Sequence, residues 1–113
     1  MEDLFLEHRV NMYLCGHLHS YELHWPIAKG KATQKSFDQP PSPVYLVQGA
    51  GGNIESYSSY ADAPKPSYTR YFEGSYWGVG LMTVNRTAIR WEMYSAQNSS
   101  ITDSMVLTLS TDL

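Results

Sequence analysis

Gly16-His17-Leu18-His19 is the run whose residue types and spacing can do chemistry. In an extended or turning backbone, residues i and i+2 project to the same side, so His17 and His19 converge on one point while Leu18 points back toward the core. Neutral imidazole is a good ligand for zinc, iron and copper, with a zinc–nitrogen bond of roughly 2.0 to 2.1 Å. Two imidazoles are only half of a metal's ligand set, and a bare pair of this spacing is by default two turn histidines bonded to carbonyls. Gly16 lets the chain bend directly after the apolar run Val10-Asn11-Met12-Tyr13-Leu14-Cys15, which reads as a buried strand. A loop at the C-terminal end of such a strand is where ligands are commonly presented.

The elements that must hold this turn are mostly strands. Glu2 to His8 carries Leu4, Phe5 and His8 at helical spacing with acids at its start, and reads as the last turns of a helix. Residues 28 to 43, with Gly30 and the Pro40-Pro41-Ser42-Pro43 cluster, form a polar connection. Val44 to Gln48 is the next strand, closed by Gly49-Ala50-Gly51-Gly52-Asn53. From Ile54 to about Glu73 there is no clean period, and Pro64, Pro66, Tyr57, Tyr60, Tyr68 and Tyr71 predict a long loop. Val79 to Val84 and Ala88 to Tyr94 read as a hairpin joined through Asn85-Arg86, with Ile89, Trp91 and Met93 on one face and Arg90 and Glu92 on the other. Met105 to Leu109 gives a final strand.

Composition narrows the function. The chain has 113 residues, enough for one small domain that buries roughly two thirds of its unfolded surface. Its 8 Lys and Arg against 11 Asp and Glu are not clustered, so the footprint for a nucleic acid is missing. No apolar run approaches the roughly 18 residues of a membrane span. A single cysteine, Cys15, excludes an internal disulfide and a Cys-rich zinc site, and reads as a small buried hydrophobe rather than a nucleophile. The acidic N-terminus lacks the features of a signal peptide, whereas the sequons Asn85-Arg86-Thr87 and Asn98-Ser99-Ser100 hint at a secretory route, although taken alone such triplets more often arise by chance. Both observations are satisfied if Met1 is internal to a longer secreted protein.

Tyr13-Leu14-Cys15-Gly16-His17-Leu18-His19-Ser20-Tyr21-Glu22 resembles the last metal motif of the purple acid phosphatases, members of the calcineurin-like metallophosphoesterases. The resemblance continues in order through Pro43 to Asn53, similar to the strand and glycine turn that follow in that family. It ends with Trp77 to Asn85 and Ala88 to Glu92, similar to its closing hairpin. The resemblance implies an α+β chain: the mostly β C-terminal portion, residues 1–113, of a four-layer α/β/β/α sandwich, with one N-terminal helical remnant. It implies a dinuclear centre of Fe(III) with Zn, Mn or Fe(II), in which His17 takes the divalent metal and His19 the ferric ion. Such a pair hydrolyses a phosphomonoester by clamping the phosphate and lowering the pKa of water.

The family's other ligands, two Asp, a Tyr, an Asn and a His, come from motifs upstream of the histidine turn and are absent here. Asn11 and Leu23 stand where Asp and Arg are common. The 113 residues are therefore expected to need the rest of the catalytic domain as a partner and to be inactive alone. A secreted, lysosomal or vacuolar glycoprotein follows from the same resemblance, with glycans at Asn85 and Asn98 and a second copy of the chain as a candidate partner.

Two roles stay open for Tyr21 and Glu22: holding the imidazoles through their second ring nitrogen, or continuing a strand. His8 and His24 read as surface or satisfied histidines. Strand termination is favoured over anion binding for Gly49 to Asn53, and packing over lining a site for the tyrosines and Trp77. A second function remains beside the enzyme: a non-catalytic β-rich interaction module whose binding surface is the aromatic loop from Tyr57 to Trp77.

Overall fold

The computed structural model describes residues 1–54 and 62–110. Among these residues there is one helix, α1 (Glu2–Glu7), which carries Glu2 and Asp3 in its first turn, where the helix dipole favours acids. The strands follow as β1 (Met12–Cys15), β2 (Tyr21–His24), β3 (Ile27–Ala28), β4 (Lys31–Ala32), β5 (Val44–Gln48), β6 (Thr69–Glu73), β7 (Gly78–Val84), β8 (Ala88–Ser95) and β9 (Ile101–Thr108). Tyr57 and Tyr60, two of the aromatic residues of the predicted long loop, lie outside the described residues.

Four strands form a mixed sheet in the order β1-β5-β2-β6. β1 runs parallel to β5, with Met12 opposite Val44 and Cys15 opposite Val47, and β2 runs antiparallel to both β5 and β6. β7, β8 and β9 make an antiparallel meander, and β3 and β4 a small separate hairpin. β7 and β8 follow the sequence reading to within a residue at each end. Asn85 caps the first connection by accepting from the backbone N–H groups of Thr87 and Ala88 at 2.8 and 2.9 Å.

The two sheets face each other across one core. Tyr21 and Leu23 of β2 and Val44 and Leu46 of β5 meet Trp91 and Met93 of β8 and Met105 and Leu107 of β9, all of them buried. Each such side chain contributes roughly 1.5 to 3 kcal/mol relative to exposure. Ile89, Trp91 and Met93 share the inward face as their alternation predicts, and Arg90 is exposed. Gly80 on β7 lies under the Trp91 ring, where any Cβ would collide with the indole.

Three departures from the sequence reading have physical reasons. β9 starts at Ile101, four residues before the predicted Met105, because its inward position 103 is an aspartate and breaks the apolar alternation. β6 occupies the end of the stretch read as loop; none of its residues is fully buried, so it carries no periodic signal. The β3–β4 hairpin lies in the polar connection and turns on Lys29 and Gly30, whose φ angles of 51° and 76° are both left-handed, as a two-residue hairpin requires.

One polar group bridges the core. The Tyr21 hydroxyl donates to Asp103 Oδ2 at 2.7 Å and accepts from the Trp91 indole N–H at 3.1 Å, while Arg70 Nη1 donates to Asp103 Oδ1 at 2.7 Å. Burial first, and the Asp103 carboxylate second, push the Tyr21 phenol well above its usual value of 10.0. A folded-state pKa raised above the unfolded one gives stability that is complete below about pH 10 and is lost as pH rises beyond it. Urea unfolding between about pH 8 and about pH 11 should show wild-type stability falling steeply on the alkaline side. Tyr21→Phe should start about 1 to 3 kcal/mol lower and fall less. Parallel curves for the two proteins would contradict this origin.

Candidate functional site

The histidine turn hangs on the C-terminal end of β5. β1 and β2 flank β5 on either side, so residues 16–20 must cross over the end of that strand to join them. The crossing is tight: Ser20 N–H donates to the Leu18 carbonyl at 2.8 Å, and Gly49 N–H donates to the Ser20 carbonyl at 3.0 Å. A Cβ on Gly49 would strike the Leu18 carbonyl, which explains the glycine immediately after β5. Gln48 extends the frame to the second sheet, its Nε2 donating to the Gly78 carbonyl at 2.9 Å, and Gly78 N–H donates to the Ala50 carbonyl at 2.8 Å.

Within the turn the left-handed residue is His17, with φ of 77°, rather than Gly16. That inversion breaks the simple alternation, and it corrects one expectation: Leu18 is 42% exposed instead of entering the core. Histidine is among the few residues that enter the left-handed region, at a cost of about 1 to 2 kcal/mol. His17 is exposed. His19 is half-buried and held by two neighbours. Asn53 Nδ2 donates to its Nε2 at 2.7 Å, and the Trp77 ring meets its edge with centroids 6.4 Å apart.

Asn53 is the residue that sequence reasoning missed. Its only signal was a place in the glycine turn after β5, the strand that pairs with β1. Trp77 combines the two roles weighed for it, packing against the core while touching His19.

Tyr21 and Glu22 take strand positions in β2. The Tyr21 hydroxyl is engaged by Asp103 and Trp91, and Glu22 bonds His24 Nε2 at 3.0 Å and accepts from Ser20 Oγ at 3.4 Å. His24 is thereby a satisfied histidine, and His8 is exposed. Burial, aided by the Glu22 carboxylate, pushes the Cys15 thiol up, so it stays protonated at neutral pH. Among the described residues no cluster of three or more His, Cys, Asp or Glu stands ready to hold a metal. The metal-type donors on this turn are two imidazoles, His17 exposed and His19 half-buried, which by kind fit part of a nitrogen-rich site.

Asn85 and Asn98 lie exposed at the two connections of the meander. In each sequon the hydroxyl of the third residue donates to the asparagine Oδ1, Thr87 Oγ1 at 3.1 Å and Ser100 Oγ at 2.7 Å.

Comparison with known proteins points to one family. A family model described as iron/zinc purple acid phosphatase-like protein C matches residues 42–104, beginning beyond the histidine turn. Purple acid phosphatase 5 of Arabidopsis thaliana is 33% identical over 115 residues, covering 94% of this chain and 28% of its own length. An acid phosphatase of Aspergillus ficuum is 29% identical over 117 residues, covering 94% of this chain and 19% of its own length. The chain thus spans about a fifth to just over a quarter of these relatives. In fold it resembles the purple acid phosphatase PPD1 from yellow lupin (Lupinus luteus) seeds, with a TM-score of 0.85 and 19% identity over 97% of this chain and 19% of that one.

The backbone at His17 yields a direct test. Glycine accepts a φ of 77° without strain, so His17→Gly should fold with unchanged stability or with a gain of about 1 kcal/mol, while removing a candidate ligand. Thermal melting checks this; a loss of several degrees would mean that the imidazole itself supports the fold.

Proposed function

The chain belongs to the iron/zinc purple acid phosphatase-like family, and from that we propose that it supplies the last two metal-binding histidines of an enzyme that hydrolyses phosphomonoesters. The observation that supports this reading is the turn of residues 16–20, which carries both histidines and whose backbone is bonded to the end of β5 through Gly49. His17 would take a divalent zinc, manganese or iron, and His19 a ferric ion. When bound, the pair supplies Lewis acidity toward phosphate and lowers the pKa of water.

What this chain's residues do is bind and orient. His17 presents its ring from an exposed, left-handed position, and His19 is limited in rotation by Trp77 and Asn53. Both rings must be neutral to ligate. The remaining donors come from the rest of the catalytic domain, and the 113 residues alone are inactive on this reading. The sequon geometry supports glycans at Asn85 and Asn98, and hence a secretory or vacuolar route. No helix among the described residues is long and apolar enough to cross a membrane.

In the complete protein, His17→Ala and His19→Ala should each lower turnover of p-nitrophenyl phosphate by at least about a hundredfold and reduce bound metal, with melting little changed. Turnover like wild type in both variants would sink the proposal. Expression in a eukaryotic secretory host tests the route. Asn85→Gln and Asn98→Gln should each remove one endoglycosidase-sensitive step of mobility, and a wild-type protein that endoglycosidase does not shift would contradict it.

A further inference from the structure

One carboxylate in the core takes no part in the site described above. Asp103 on β9 is 9% exposed, and its two oxygens serve two strands of the opposite sheet, Oδ2 accepting from Tyr21 on β2 and Oδ1 from Arg70 on β6. Trp91 on β8 adds its N–H to the Tyr21 hydroxyl and stacks on the Tyr21 ring, centroids 6.3 Å apart. Four strands from both sheets therefore meet at one phenol. Sequence reasoning did not single out Asp103, whose alternating neighbours conceal an inward polar position.

A buried charged pair is a weak source of stability, because apolar side chains of similar volume in its place are often neutral or stabilising. Its best-attested use is to fix a register. Register is what the histidine turn needs. Tyr21 opens β2 and is fully buried, and the buried Ser20 is all that separates it from His19. The β2–β6 ladder shifts between Leu23 and His24, so on that side the pairing of β2 is not uniform along its length. A one-residue slip would turn Tyr21 outward and move His19 by about 3.3 Å. A ligand must be held to within about 0.5 Å. The Tyr21 hydroxyl finds Asp103 and Trp91 together in one register only.

We propose that Asp103 is a positioning residue for the histidine turn: acting through Tyr21, it fixes the register of β2 and thereby the pose of His19. The C-terminal meander then belongs to the metal-binding apparatus although it contributes no ligand. This inference rests on the metal-binding reading of His17 and His19.

The test uses the complete protein and a compensated variant, Tyr21→Phe with Arg70→Met and Asp103→Leu, which removes both charges and the hydroxyl together. Melting temperature, zinc affinity of the metal-free protein and the ring nitrogen resonances of His17 and His19 are measured side by side. The variant leaves the Trp91 N–H without its acceptor, so it should melt below wild type while staying folded, lose about tenfold to a hundredfold in zinc affinity and show a displaced or broadened His19 signal. Wild-type affinity and unmoved ring signals in the folded variant would overturn the proposal.

If wild type itself binds no zinc, the metal-binding reading fails separately. The ring signals of the metal-free proteins then decide, movement supporting the positioning role and identity overturning it. Should that variant not fold, Tyr21→Phe alone, folded though less stable, carries the same comparison: weaker zinc binding and a moved His19 signal support the proposal, and wild-type values of both overturn it.

Discussion

A phenol and a carboxylate meet 2.7 Å apart in the middle of an otherwise apolar layer, and the alignment of the two sheets runs through them. Tyr21 belongs to the mixed sheet and Asp103 to the meander. Around them Leu23, Val44, Leu46, Met93, Met105 and Leu107 supply the non-directional part of the packing. Apolar faces of this kind tolerate sliding, whereas a hydrogen bond between buried groups does not, because an unmade one costs about 1 to 3 kcal/mol. The direct bond from Arg70 to Asp103 keeps the carboxylate paired and so makes its burial tolerable.

From that alignment the site follows outward. β5 lies between β1 and β2, its C-terminal end receives the turn of residues 16–20, and Gly49 permits a contact that no side chain would allow. The strand's end therefore decides where the two imidazoles stand. The glycine turn beyond it returns Asn53 to His19, and the chain comes back once more at Trp77 to close on the same ring. Segments separated by more than fifty residues in sequence thus converge on one histidine. That convergence ties the stretch 42–104, which the family model matches, to the turn that precedes it.

Much of this was legible in the sequence where one face of an element is apolar and the other polar. Val44 to Gln48 declared itself as an apolar run closed by glycines, the strand containing Ile89, Trp91 and Met93 through alternation, and the two histidines through their spacing. What stayed hidden had specific causes. Asp103 put a charge where alternation expects a hydrophobe. β6 lacks a fully buried residue and so has no pattern to read. The left-handed backbone at His17 sent Leu18 outward, a choice made by the tertiary clamp on the turn rather than by the local sequence. The contact of Asn53 with His19 spans 34 positions, and no local rule reaches that far.

The central claim is that this chain completes a metal site whose other donors lie outside it, and metal content per polypeptide tests that most directly. Elemental mass spectrometry on the protein purified from its native source should find about two metal ions per polypeptide, iron among them. A folded protein carrying no metal would contradict the account and leave the paired imidazoles as turn histidines.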